Sequence, residues 1–212
     1  MVNPQFSPVC NDSRDGCFAE IISRNCKRCS RLTSTYESGK NNVTRHANIF
    51  AILFDMVDGE MRDAIVEHVL LNDAVPAITT PYFKFFELDM WGKLGRLDIV
   101  WEAIHSYWGG MLERGATTFW EQFDPSVEGV EQYAMYGDPF GKSLCHAWAA
   151  SPIYLLGRYF LGVRPLEPGY ERYDVAPHTE YFKALHCVVP IRDSSVRIDY
   201  EDGKLEIQEV RE

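Results

Sequence analysis

Glu121 stands directly after an indole, Trp120, with the hydroxyls of Thr117 and Thr118 just before it, in the run Gly115-Ala116-Thr117-Thr118-Phe119-Trp120-Glu121-Gln122-Phe123-Asp124-Pro125. These residue types suit the cleavage of a glycosidic bond. That reaction places two carboxyl groups across the bond: one protonates the leaving oxygen, and the other attacks the sugar or activates a water. Aromatic faces hold the apolar side of the ring, and a few polar groups orient its hydroxyls. Glu121 is therefore a candidate carboxylate. The loop that runs on to Gly141 carries Tyr133, Tyr136 and Asp138, enough to build a rim. Composition alone also permits a plainer reading, with Trp120 in the core and Glu121 a solvated charge, the commonest placement of a glutamate.

Helices must position such a segment. Val43–Val57 is apolar on almost every face through Ile49, Phe50, Ile52, Leu53, Phe54 and Met56, which predicts a helix covered all round. Glu60–Leu71 is one-sided, with Met61, Ile65 and Val69 on its apolar face. Thr80-Pro81 reads as an N-cap followed by proline at the first helical position, opening an apolar, aromatic helix over Pro81–Leu94. Asp98–Glu113 is one-sided again through Val100, Ile104, Trp108 and Met111, and Gly115 stops it. Ser143–Leu161 is apolar and predicts a further helix kinked at Pro152. All-round apolar helices thus alternate with amphipathic ones, the order that an inner ring covered by an outer ring requires. After Gly162 the period changes. Val196, Ile198 and Tyr200 alternate with polar residues, Asp202-Gly203 marks a turn, and Leu205 and Ile207 resume the alternation, a β-hairpin pattern.

The 212 residues suffice for one large domain or one plus a small one, and 46% hydrophobic content supports a sizeable core. A net charge of -10 argues against nucleic-acid binding, which needs a basic face for phosphates. No stretch is long and apolar enough to span a bilayer, and His146–Gly162 is broken by Ser151, Pro152 and Arg158. The N-terminus lacks the layout of a secretory signal, so a cytoplasmic location is expected. Residues 1–42 hold six Lys and Arg against four Asp and Glu, whereas residues 43–212 hold 15 against 27. The early stretch lacks periodicity and is expected to be poorly ordered or foreign to the domain. Cys10, Cys17, Cys26 and Cys29 lie within it at spacings unlike a zinc ribbon or finger, so free thiols are expected, and neither metal nor cofactor. Cys145 next to His146 reads as a small buried residue, since adjacency in sequence does not make a catalytic dyad.

Four stretches together resemble the α-L-rhamnosidase-like six-hairpin glycosidases. Besides Gly115–Asp124 they are Thr44-Arg45-His46-Ala47-Asn48-Ile49-Phe50-Ala51, then Thr79-Thr80-Pro81-Tyr82-Phe83, and finally Ser143-Leu144-Cys145-His146-Ala147-Trp148, continuing through Leu161-Gly162-Val163-Arg164-Pro165-Leu166 and Val175-Ala176-Pro177-His178. They stand in family order from about Val43 to the C-terminus. The resemblance implies a mainly α fold: a partial α/α barrel over residues 43–162, then a small antiparallel β unit over 163–212. It implies an inverting hydrolysis of α-L-rhamnosides in which Glu121 is the general base, Trp120 a sugar platform, and His146 part of the sugar pocket. Tyr82 and Arg45, near inner-helix starts, would line the same cavity, and Asp124 would orient Glu121 or be structural. The family's general acid lies in a motif resembling Asp-x-x-x-Arg-x-Glu-Arg, and this sequence has none. The expected role is therefore a C-terminal, base-carrying part of such an enzyme with a carbohydrate partner. Its rivals are a non-catalytic carbohydrate-binding or scaffold remnant and an unrelated helical interaction protein. Bare inner helices of a partial barrel would favour self-association.

Overall fold

The computed structural model describes residues 43–211. The readings that fall on residues 1–42, the cysteine cluster among them, lie outside the described residues. The chain divides into two compact units between Ile78 and Thr79.

In the first unit, helix α1 spans Arg45–Leu53 and α2 spans Gly59–Ile65, continuing through a wider turn over Val66–Leu70. The Asp58 carboxylate accepts from the Met61 backbone N–H at 2.8 Å and caps α2. Its apolar face follows the periodicity, with Ile65 and Val69 fully buried. α1 corrects the expectation of a helix covered on all sides: it buries Asn48, Ile49, Ala51 and Ile52, while Phe54 at its end is 67% exposed. Apolarity allows burial, but only a packing neighbour supplies it.

The second unit opens on α3, Pro81–Lys93, with Thr80 extended at its N-cap and proline at its first turn, as the dipeptide predicts. Gly92 lets another stretch pack close: a Cβ there would lie 2.4 Å from the Tyr159 ring. The Tyr159 hydroxyl donates to the Asp89 carboxylate at 2.7 Å and ties the two segments. Helix α4, Leu97–Ala103, runs through a wide segment, Ile104–Gly109, into α5, Gly110–Glu113. The predicted stripe is the buried one: Val100, Ile104, Trp108 and Met111 are all under a tenth exposed. Gly115 ends the run at φ 85°, and the next amide, Ala116, reaches back to the Met111 carbonyl at 3.0 Å, a Schellman-type close.

The last helical stretch departs from expectation. Ser143–His146 is irregular, with a bend at Leu144 and Cys145, Ala147–Ala149 forms one tight turn, and α6 starts only at Ser151, spanning Ser151–Leu155 and widening over Leu156–Phe160. Pro152 therefore opens a helix and does not kink one. In the first turn its missing N–H costs nothing.

Two antiparallel sheets follow. β1, Val163–Pro165, pairs with β2, Tyr173–Val175. β3 (Leu185–Ile191), β4 (Ser194–Glu201) and β5 (Lys204–Val210) form a meander in that order. Glu201 pairs with Lys204 across Asp202 and Gly203, whose φ values of 51° and 76° make the predicted two-residue turn. Val163, Ile191, Val196 and Ile198 form the core of this part. The chain is thus a helical region followed by small antiparallel sheets, as expected for a partial helical barrel and a β unit.

Candidate active site

Gly115 turns the chain out of α5, and residues 118–121 then run against residues 143–146. The Glu121 amide donates to the Ser143 carbonyl at 2.9 Å, and the His146 amide donates to the Phe119 carbonyl at 2.8 Å. The Thr118 hydroxyl donates to the Leu144 carbonyl. This pairing is why Ser143–His146 is not helical: its backbone groups are already used by Thr118–Glu121. It also brings Glu121 and His146 together across 25 residues of chain.

Glu121 is 7% exposed and well partnered. The Tyr136 hydroxyl donates to Oε1 at 2.6 Å, and the Ser143 amide donates to Oε2 at 3.1 Å. His146 Nδ1 lies 3.9 Å from Oε2. The Tyr136 hydrogen bond, then the Ser143 N–H, hold the carboxyl below its ordinary pKa of 4.5; burial opposes them, and His146 and Lys142 add smaller attractions. Glu121 is thus ionised at neutral pH. A carboxyl whose pKa falls on folding stabilises the fold above its ordinary value, and that contribution is lost as pH drops through the lower folded value. Urea-unfolding midpoints measured between about pH 5 and about pH 3 should therefore fall more steeply for the native chain than for Glu121→Gln. Parallel acid limbs would refute the assignment of Glu121 as an ionised, hydrogen-bonded group.

Lys142 is the buried cation of the neighbourhood, 9% exposed, with its ammonium donating to the Gln132 carbonyl. Burial pulls its pKa down, while Asp124 and Glu121 pull it up. Asp124 closes its own turn, accepting from the Ser126 amide at 2.9 Å and the Ser126 hydroxyl at 2.6 Å. Those two bonds hold its carboxyl below the usual range. Its hydrogen-bond partners among the described residues are thus those of a turn, and none is Glu121.

Trp120 corrects one expectation. It is 3% exposed, edge-on to Tyr133 at 5.8 Å and tilted against Phe123 at 6.5 Å, so it backs the site and offers no open face. The open indole is Trp148, 51% exposed. Its ring lies 4.3 Å from that of His146 and 5.3 Å from that of Tyr82, which is itself 42% exposed. Glu121, His146, Trp148 and Tyr82 therefore form one continuous run. Arg45 belongs to the first unit, where its guanidinium reaches the Val75 carbonyl at 3.5 Å. An apolar cavity of about 360 Å³, lined by Trp108, Leu112, Phe119 and Pro152 among others, is lined by none of Glu121, His146 or Tyr82.

Sequence reasoning proposes Glu121, His146 and Tyr82 as site residues, gives no role to Trp148 or Lys142, and assigns Tyr136 only to a rim. The signal for Trp148 was its position two residues after His146. Nothing local signalled that Tyr136 would return to Glu121.

Among the described residues no helix is long and apolar enough to cross a membrane, and no three His, Cys, Asp or Glu side chains gather as a metal site. No curated protein matches the chain. Its fold is similar to that of a rhamnosidase from Klebsiella oxytoca with rhamnose bound, at 27% identity and a TM-score of 0.52, over 61% of this chain and 24% of that one. The chain therefore spans about a quarter of that protein's length. Residues 30–160, more than half the sequence and ending with the last helical stretch, match the bacterial alpha-L-rhamnosidase 6 hairpin glycosidase domain, and the chain belongs to that family.

Proposed function

We propose that this chain carries the base side of an α-L-rhamnoside-hydrolysing site, with Glu121 as the general base of an inverting reaction. The observation that supports this reading most is a buried carboxylate, ionised at neutral pH, at the head of the run His146–Trp148–Tyr82. In such a reaction Glu121 takes the proton of a water as its oxygen attacks the anomeric carbon, and a second carboxyl group protonates the departing glycosidic oxygen. That second group would lie about 6.5–9.5 Å from Glu121, leaving room for the water. Trp148 and Tyr82 offer aromatic faces to the apolar side of the sugar, and His146 offers a ring nitrogen to a hydroxyl. Trp120 backs Glu121, while Asp124 stays a candidate for holding the loop.

The acid motif of the family is absent from this sequence. We therefore propose that the chain alone binds L-rhamnose without turning over rhamnosides. L-Rhamnose should quench or shift the tryptophan fluorescence of the native chain, and Trp148→Ala should remove most of that response. Incubation with an aryl α-L-rhamnoside should release no phenol above the uncatalysed rate. Release that Glu121→Gln abolishes would overturn the half-site reading and make the chain a complete enzyme. Absence of any rhamnose response would favour a scaffold remnant.

A further inference from the structure

Tyr136 is placed in a way that packing does not explain. It is 80% exposed, yet its hydroxyl makes a 2.6 Å bond to a carboxylate that is 7% exposed. Its backbone lies at φ 56°, in the left-handed region that aromatic residues seldom adopt, and Gly137 follows at 81°. Together they form a two-residue turn closed by reciprocal bonds, Met135 N–H to the Asp138 carbonyl and Asp138 N–H to the Met135 carbonyl, both 2.9 Å. Asparagine or glycine would suit that corner better. Gly141 keeps the turn seated, since a Cβ there would meet the Met135 carbonyl oxygen at 2.4 Å. An unfavourable backbone position is thus occupied by a tyrosine whose side-chain hydroxyl bonds, among the described residues, to Glu121.

The two oxygens of Glu121 are divided between neighbours. Oε2 accepts from the Ser143 amide and faces His146, both belonging to the backbone pairing described above. Among the described residues Oε1 is held by Tyr136 alone, from an exposed turn. A water or sugar hydroxyl that approaches Glu121 therefore has to take Oε1, the side that can open. We propose that Tyr136 is a positioning residue for Glu121, its hydroxyl holding Oε1 in the resting state and yielding that atom to the incoming hydroxyl. This inference rests on the reading of Glu121 as the base. It explains how a carboxylate held below its ordinary pKa at rest becomes a better base when needed: loss of the tyrosine donor removes the largest contribution that lowers its pKa. The other groups that face it, the Ser143 N–H, His146 and Lys142, stay in place.

The test is a carboxyl titration by NMR on the full chain with ¹³C-labelled glutamate, Glu121 being assigned from the signal lost in Glu121→Gln. In Tyr136→Phe the Glu121 midpoint is expected to move upward, and the urea midpoint at neutral pH to fall only by the linked loss of that carboxylate's stabilisation, since the ring itself is 80% exposed. In Glu121→Gln the Tyr136 hydroxyl, now held above its ordinary pKa by Glu121, should ionise at lower pH by tyrosinate absorbance. Tyr136→Asn, which suits the turn, should reproduce the Glu121 shift and so separate the hydroxyl from the backbone. Saturating L-rhamnose should raise the Glu121 midpoint of the native chain, because a sugar hydroxyl is a weaker donor than the phenol it replaces, and lower that of Tyr136→Phe, whose Oε1 has lost its tyrosine donor. An unmoved Glu121 midpoint in Tyr136→Phe overturns the proposal, as does rhamnose binding seen by fluorescence that leaves the native midpoint unchanged. A shift in Tyr136→Phe with no rhamnose binding by any readout upholds the holding of Oε1 and overturns the rhamnoside reading alone.

Discussion

Trp108→Ala is expected to destabilise the second unit by about 3–5 kcal/mol, the usual cost of emptying a buried aromatic site. Trp108 is 4% exposed, edge-on to Tyr107 at 4.9 Å. Its indole N–H also donates to the Ala149 carbonyl at 2.8 Å, a bond buried on both sides. That carbonyl belongs to the last residue of the tight turn Ala147–Ala149, which carries Trp148 and follows His146. The bond therefore joins the amphipathic helix to the stretch that presents the aromatic part of the site. Trp108→Phe separates the two contributions: it keeps most of the ring but leaves the Ala149 carbonyl unpaired, for an expected loss of about 1–3 kcal/mol. Urea unfolding of the three proteins measures both. A Trp108→Ala loss below about 1 kcal/mol, the level of an ordinary surface change, would mean that the site collapses without Trp108 and that this anchor is not needed.

Gly162→Ala should rank with it. Gly162 sits at φ 65°, where an L side chain costs roughly 1–2 kcal/mol. A Cβ there would also lie 2.0 Å from the Ala176 carbonyl oxygen and 2.4 Å from its carbon, both backbone atoms. The backbone has little freedom to retreat: the Ala176 amide donates to the Gly162 carbonyl at 3.1 Å, and the His178 amide to the Phe160 carbonyl at 2.9 Å. Overpacking of this kind adds about 1–3 kcal/mol, so the sum expected is about 2–5 kcal/mol. Gly95→Ala is the control. Gly95 has φ 74° but nothing within 4 Å of an added Cβ, so only the conformational part applies. Equal denaturant midpoints for the two alanine variants would show that the close approach at Ala176 relaxes freely.

The legible and illegible parts of this molecule separate by range. Three features were readable because neighbours in sequence carry them. The stripe Val100, Ile104, Trp108 and Met111 is a helical period, and the structure buries all four. Thr80-Pro81 opens a helix because proline lacks only an N–H that the first turn does not use. Asp202-Gly203 makes the β4–β5 turn because both residues tolerate positive φ. Ser143–His146 was misread as helix because its apolar content satisfies either period, and its partner, residues 118–121, lies more than twenty positions away. The same distance hides which of Trp120 and Trp148 is sealed and which is open. Both are tryptophans beside a candidate site residue, and only the surrounding rings decide which face is open.

By itself, then, the sequence determined the helical and strand periods, the turn chemistry, and the set of motifs that mark the six-hairpin glycosidase family, Glu121 among them. Those are properties of residues a few positions apart, where backbone geometry leaves few choices. Only the tertiary structure decided that Trp120 is sealed and Trp148 open, that His146 reaches Glu121, and that a tyrosine from an exposed turn holds one oxygen of that carboxylate. Such facts depend on which distant segments exclude water from one another and which hydrogen-bonding groups are left over when they do, and no local period encodes either.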